Sequence, residues 1–196
     1  MDNLNEVQPI IDQLKSRSEQ QPLSPKQIWN SEMDAAISAI SWGKRAQDKS
    51  VIALMAGLHL WNDNLYTSHS YSQKIEGDPT GNYWHGIMHR MEADYPNSKY
   101  WFRQAGNHPA KQRIPQKTAE YLKRETALDS LPPSQIVNTL KQFRDQQNWN
   151  SDDFVDLVQL QENGEGTEAT RTMLEKIQQI EFLELFDYSY KAVFND

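Results

Sequence analysis

Two histidines and a glutamate lie on one short predicted helix at spacings that bring them toward a single ion. In the stretch YWHGIMHRMEADY, His85, His89 and Glu92 are spaced i, i+4, i+7, which keeps them within about 60° of one helix face. Imidazole nitrogens and carboxylate oxygens are ligands for zinc and for non-haem iron. The pattern therefore predicts a divalent metal, zinc or iron, as the cofactor, with His69, Glu76 or another helix completing the coordination.

The pair of histidines does not match the zinc metalloproteases. Those enzymes place a glutamate directly after the first histidine as the general base, whereas Gly-Ile-Met separates His85 from His89 here. A metal-free site is the second interpretation. In that site His69 or His89 is the catalytic acid or base, because the ordinary pKa of histidine lies close to neutral pH. The third interpretation is a structural network in which all these polar groups are satisfied internally.

The region around the histidines is also basic, which favours a small anionic ligand as a partner. Residues 85–124 contain eight Lys or Arg and three Asp or Glu, a local charge of +5 against −12 for the rest of the chain. An arginine here would hold the anion through two parallel hydrogen bonds. A solvated basic surface is the alternative. The predicted ligand-binding side chains are Tyr66, Glu76, Arg90, Tyr100 and Arg103.

Aromatic side chains lie in and beside the histidine-containing stretch, and they are compatible with two alternative functions. If Trp84, Trp101 and Phe102 are exposed and contiguous, they form a surface for a protein partner, and the protein is a non-catalytic interaction module. If they are buried around a concave polar site, a small-molecule enzyme or ligand-binding protein is favoured. The second function is preferred. Its predicted pocket is lined by His69, His85, His89, Glu92, Tyr100 and Arg103.

The elements that must position these residues are helices. No segment alternates apolar and polar residues, and apolar residues recur at helical spacing, so the predicted fold is all-α, either a single-domain helical bundle or an irregular helical array. Residues 1–23 are predicted to be an N-terminal arm, and 24–196 the domain. The predicted helices cover 3–19, 25–46, 48–74, 82–95, 98–105, 116–128, 134–147, 151–160 and 167–193.

Three local features of these helices can be predicted. Ser24 is the predicted N-cap of the helix 25–46, and Pro96-Asn97 the predicted break between two of the central helices. The last helix is apolar on nearly all sides, so the carboxylates of Glu181, Glu184 and Asp187 need partners there. Arginine or histidine side chains from residues 85–103 are the predicted partners.

Composition narrows the classes of function. The absence of cysteine excludes disulfides, thiolate catalysis and cysteine-bound metal centres. A net charge of −7 and a pI near 5.2 argue against a nucleic-acid partner. No apolar run approaches the roughly 20 residues of a membrane span, and the first residues lack the pattern of a signal peptide. We therefore expect a soluble cytoplasmic protein with no membrane partner.

Three runs of the chain together resemble a family of bacterial and fungal proteins of uncharacterised function. They are SHSYSQKIEG, GNYWHGIMHRMEADYPNSKYWFRQAGNHP and QQIEFLELFDYSY, within residues 50–109 and 175–191. Where the family pattern reads H-R-R-E, this chain has His89-Arg90-Met91-Glu92, so a role for the second arginine does not carry over. The resemblance implies no activity, cofactor or catalytic residue.

Overall fold

The protein is described here by a computed structural model that covers residues 2–194, apart from the side chain of Asp2. Over this range the chain forms eleven α-helices, two short 3-10 helices (Gly43–Gln47 and Pro109–Gln112) and no β-strand, so the prediction of an all-α fold is confirmed. The α-helices are α1 (Asp2–Lys15), α2 (Ser31–Ser38), α3 (Lys49–Trp61), α4 (Leu65–Gln73), α5 (Pro79–Met91), α6 (Tyr95–Ala105), α7 (Ile114–Arg124), α8 (Ala127–Ser130), α9 (Gln135–Asp145), α10 (Ser151–Glu162) and α11 (Glu168–Phe194).

The predicted helix 25–46 is wrong at both ends, because α2 begins only after Asn30 and ends at Ser38, and only a short 3-10 helix, Gly43–Gln47, follows. The Asn30 side chain, rather than that of Ser24, accepts the capping hydrogen bond from the Met33 N–H at 2.9 Å. Asn62 fixes this start from a distant part of the chain. Its Nδ2 donates to the Asn30 carbonyl oxygen at 2.9 Å, and its Oδ1 accepts from the Asn30 N–H at 3.2 Å.

The predicted single helix 48–74 is wrong as well, since it is divided into α3 and α4. Asp63 lies between them with a φ of 62°, a left-handed conformation that ends α3, and the Asn64 side chain then caps α4. The segment before α2 holds this junction. Arg17 Nη1 lies 2.9 Å from the Asp63 carboxylate, and Gln21 Nε2 donates to the same carboxylate at 2.7 Å.

The break between α5 and α6 lies at residues 92–94, before the predicted break at Pro96-Asn97. Ala93 has a φ of 68°, and the Asp94 side chain accepts the Asn97 N–H as the cap of α6. Pro96 therefore sits in the first turn of α6, where its missing N–H leaves no intrahelical bond unmade. The break at Asp63 thus turns α4 back on α3, and the break at Ala93 turns α6 back on α5.

Helix α5 is the central element of the fold. It packs against α3, α4, α6 and α11, and every residue from Gly81 to Met91 is buried. Helix α1 joins the same apolar core through Val7, Ile10, Ile11 and Leu14. Within residues 2–194, none of the helices combines the length and the apolar composition needed to cross a bilayer.

Replacing Gly57 with alanine is expected to lower the free energy of unfolding by about 1–2 kcal/mol. A Cβ atom at Gly57 would lie 2.7 Å from the ring of Trp84, which is fully buried and donates a hydrogen bond to Ser189 Oγ at 3.0 Å. The better helix propensity of alanine offsets only part of this overlap. Urea denaturation measures the difference. A variant as stable as the wild type would mean that Trp84 can shift without loss.

Candidate metal centre

Three histidines from two helices meet at one place on the molecule. His69 of α4 and His85 and His89 of α5 each offer a ring nitrogen, and these nitrogens lie within 4.8 Å of one another. The ring centroids are 4.8 Å apart for His69 and His85, 5.2 Å for His69 and His89, and 4.7 Å for His85 and His89. His85 and His89 are buried, and His69 is partly exposed. The structure thus brings His85 and His89, which were predicted as metal ligands, next to His69, which was predicted as a catalytic acid or base.

His85 has no hydrogen-bond partner for either ring nitrogen among residues 2–194, although only 1% of its surface is exposed. Burial, together with the smaller effects of the neighbouring charges of His89 and His69, lowers the pKa of His85 to about 3. The ring is therefore neutral at physiological pH and has a lone pair free. An unpaired buried polar group of this kind costs on the order of 1–3 kcal/mol, and a bound metal ion would remove part of that cost.

Glu92 contacts His89 directly. Its Oε1 lies 2.6 Å from His89 Nδ1, so the carboxylate can accept the Nδ1 proton and leave the Nε2 lone pair available. Histidines that bind metals very often donate their second nitrogen to a carboxylate in this way, which fixes the tautomer and the direction of the ring. The geometry therefore gives Glu92, predicted as a ligand itself, the role of orienting a ligand.

Glu92 and Asp94 also form a second group of potential ligand atoms with His89, again within 4.8 Å. Both oxygens of Asp94 already accept hydrogen bonds from Asn97, the backbone N–H at 3.3 Å and the side-chain Nδ2 at 2.7 Å. Because these bonds cap α6, Asp94 is less available to an ion than the three histidines are.

The rings of Trp101, His85 and His89 form a stack. The centroids of Trp101 and His85 are 4.0 Å apart, and the interplanar angle is 15° both for this pair and for His85 with His89. A metal ion lies close to the plane of the imidazole that binds it, so two parallel rings cannot both point at one ion. Metal binding therefore requires His85 or His89 to turn toward His69, whose ring is tilted by 58° and 70° to theirs.

The predicted tyrosines lie on exposed surface. Tyr66 of α4 is 83% exposed, and Tyr100 of α6 is 51% exposed, with its ring edge-on to Trp101 at 5.1 Å. Glu76 is exposed and contributes a negative charge near His69. Burial lowers the pKa of His69, and His89 lowers it further, whereas the charges of Glu92 and Glu76 partly offset this.

Arg90 and Arg103 do not join the three histidines. Arg90 is fully buried, and its Nη2 lies 2.6 Å from Glu181 Oε2 on α11. Tyr83 Oη and Trp149 Nε1 both donate to the other oxygen of Glu181, at 3.0 Å and 3.1 Å. Arg90 was predicted to bind an anion, but here its charge is satisfied inside the core. Arg90 is therefore the partner of Glu181 that was predicted to come from residues 85–103.

Arg103 is exposed, and its guanidinium pairs with Asp152 at the start of α10, with Nη2 2.9 Å from the carboxylate. Helix α6 thus presents Trp101 to the histidines and Arg103 to α10. Glu184, the other buried carboxylate of α11, pairs with Arg113 and Lys117, which lie outside the predicted region 85–103.

The alternative function, a partner surface made of aromatic residues, needed Trp84, Trp101 and Phe102 to be exposed together. Trp84 and Phe102 are buried in the core, and Trp101 alone of the three is partly exposed. The interpretation as an aromatic surface patch is therefore wrong for these residues. Trp101 instead covers one face of His85, a role that the sequence analysis missed because no local pattern links α6 to that histidine.

The remaining histidines have local partners. His59 Nδ1 lies 3.0 Å from Asp34 Oδ1, whereas its buried Nε2 has no hydrogen-bond partner within residues 2–194. His108 Nδ1 accepts the Ala110 N–H at 3.2 Å, which places the proton of the neutral ring on Nε2, 3.1 Å from Thr80 Oγ1. Burial, with a smaller effect of the charge of Lys111, lowers the pKa of His108 to about 4. These contacts hold neighbouring segments together.

We expect the free energy of unfolding to fall as the pH drops from about 6.5 toward 4, and to fall less steeply in His108→Gln. In that interval the unfolded chain binds a proton at His108, whose ordinary pKa is 6.5, while the folded protein with its pKa of about 4 does not. Acid therefore favours the unfolded chain. Glutamine can replace both hydrogen bonds without titrating. Urea denaturation at about pH 7, 6 and 5 tests this, and parallel curves for the two proteins would contradict it.

Comparison of the chain with protein-family models, with curated proteins and with solved structures finds no match in any of the three. The resemblance to the bacterial and fungal family stays a prediction. The function is therefore inferred from the geometry of the three histidines.

Proposed function

We propose that the protein binds one divalent transition metal, zinc or iron, through His69, His85 and His89, and uses it to bind and act on a small ligand. The observation that carries the proposal is His85, a buried neutral imidazole with no hydrogen-bond partner in the described chain, beside two further imidazoles. The contact of Glu92 with His89 supports it, because the carboxylate can accept the Nδ1 proton and leave the Nε2 lone pair available to an ion.

Three protein ligands leave at least one coordination position open, as catalytic metal sites do and structural ones do not. A metal ion held by these three histidines would supply Lewis-acid chemistry, because it would lower the pKa of a water molecule bound to it toward neutral pH. A small anionic ligand would bind at the metal itself, so neither Arg90 nor Arg103 is needed to hold it. Zinc–nitrogen distances of about 2.0–2.1 Å require the three imidazoles to close in on the ion. The partly exposed His69 has room to move, and His85 can turn out of the stack without breaking a hydrogen bond within residues 2–194.

The test is elemental analysis of untagged protein purified without chelator, followed by titration of the metal-free protein with Co²⁺. We expect close to one equivalent of zinc or iron, and visible absorption from Co²⁺ bound by imidazoles. Trp101 provides a second signal, since its ring touches His85 and its fluorescence should change on binding. Metal-free protein that takes up neither Zn²⁺, Fe²⁺ nor Co²⁺ would overturn the proposal.

Glu92→Gln is expected to weaken metal binding by about tenfold to a hundredfold and to leave the fold intact. The glutamine can still accept the proton of His89 Nδ1, but it brings no negative charge to the imidazole. Because Glu92 is exposed, the free energy of unfolding of the metal-free protein should change little. Competition with a chromophoric chelator measures the affinity. An unchanged affinity would show that the contact with His89 does not support a ligand.

A further inference from the structure

An apolar groove lies between α1 and α11, formed by residues that the metal proposal does not use. It consists of two adjoining clefts of about 270 Å³ and 280 Å³, which share Lys15, Trp61 and Leu183. The ring of Trp61 packs against the ring of Phe182, with centroids 5.5 Å apart, and edge-on against that of Phe186, with centroids 4.8 Å apart. The floor of the groove is therefore aromatic. A concave, mostly apolar site with few polar groups is the usual form of a small-molecule site, and the first cleft, whose polar residues are Gln8, Lys15 and Asp187, has this form.

Of the two basic residues that line the groove, Lys15 is the one available to a ligand. Arg17, at the far end of the second cleft, pairs with Asp63, and Asp187 in the first cleft pairs with Lys191 at 2.6 Å. Lys15 lies where the two clefts meet, and no ion pair joins it to a carboxylate in the part of the chain that the structure describes. A ligand in the groove would therefore meet an uncompensated positive charge in the middle and apolar surface beside it.

We infer that this groove binds an anionic amphiphile, a small molecule with a carboxylate on an unbranched apolar chain. The carboxylate pairs with Lys15, and the chain lies in the first cleft over Trp61, Leu183 and Phe186. The chain takes this direction because Glu19 lines the second cleft and places a negative charge there. The apolar chain supplies most of the affinity, since burial of methylene groups is favourable and an exposed ion pair adds little.

The test is isothermal titration of the full chain with hexanoate, octanoate and decanoate, with 1-octanol as the uncharged match for octanoate. We expect affinity to rise about twofold to fourfold per methylene, and octanoate to bind about threefold tighter than 1-octanol. Lys15→Gln should remove the preference for octanoate and leave the binding of 1-octanol unchanged. Lys26→Gln, which alters another exposed lysine outside the groove, is the matched control and should behave as wild type.

Filling the first cleft provides the second arm. Leu183→Trp should abolish binding of both ligands, and Gln8→Trp, at the rim of the same cleft, does so from a partly exposed position that the core does not depend on. Circular dichroism establishes that each variant is folded. Affinity that does not grow with chain length, equal binding of octanoate and 1-octanol, or undiminished binding in a folded cleft-filled variant would each overturn the inference. Metal content is unaffected by these variants, so failure here leaves the metal proposal untouched.

Discussion

His89→Ala is expected to lower the affinity for Zn²⁺ or Co²⁺ by more than about 100-fold, beyond the effect of losing an outer partner such as Glu92. The variant removes one of three ligands and also the contact that orients the site. His69→Ala should lower the metal affinity by a similar factor, although His69 lies on a different helix and shares no sequence pattern with the other two histidines. Co²⁺ absorption and competition with a chelator give the affinities.

His85 offers a variant that separates metal binding from folding. In His85→Phe a ring of similar size keeps the stack with Trp101 and removes two buried nitrogens that have no partner in the described chain. The metal-free variant should therefore be at least as stable as the wild type, while its metal affinity is lost. His108→Gln is the control that should retain the metal, because the ring nitrogens of His108 bond to Thr80 and Ala110, away from the three histidines. Equal metal uptake by wild type and His85→Phe would contradict the assignment.

Glu181→Leu is expected to lower the free energy of unfolding by about 3–5 kcal/mol, the largest effect on stability that we predict. The substitution leaves the guanidinium of Arg90 at zero exposure without its carboxylate, between the rings of Phe102 and Phe154. It also removes the acceptor of the Tyr83 hydroxyl hydrogen bond. The pKa of this hydroxyl is raised well above its usual range by burial and by the charge of Glu181. Urea denaturation at neutral pH measures the loss.

The matched double variant Arg90→Met/Glu181→Leu tests the cause of that loss. If an unpaired buried charge is responsible, removing both charges should restore most of the stability, because apolar side chains of similar volume often replace a buried ion pair without loss. A double variant less stable than Glu181→Leu would contradict this explanation. It would indicate that Arg90 contributes mainly through its packing against Phe154.

The helical fold could be predicted from the sequence, whereas several helix ends could not. Apolar spacing is a local property and identifies helices wherever they bury one face. The end of α3 and the start of α2 depend instead on Asn62, whose amide bonds to Asn30 across the fold. The left-handed residues Asp63 and Ala93 likewise carry no local signal as strong as glycine.

The candidate site could be predicted in part for the same reason. His85 and His89 share a helix, so their spacing alone placed them together. His69 was one of the side chains predicted to complete their coordination, but its place beside them depends on the end of α3 at Trp61 and on the junction at Asp63, which the sequence did not indicate. Arg90 could not be distinguished from a ligand-binding arginine, since α5 is buried on all sides and its sequence does not tell which face meets α11.

The contact of Arg17 and Gln21 with Asp63 links the assembly of the histidines to the docking of the chain's first segment. The junction between α3 and α4 is completed by side chains that lie far away in sequence, so this contact forms only after the loop between them has closed. Opening of the first segment would leave Asp63 buried without its cation and would loosen the direction of α4. Amide protons of α4 should therefore exchange together with those of α1, as one cooperative unit of the native state.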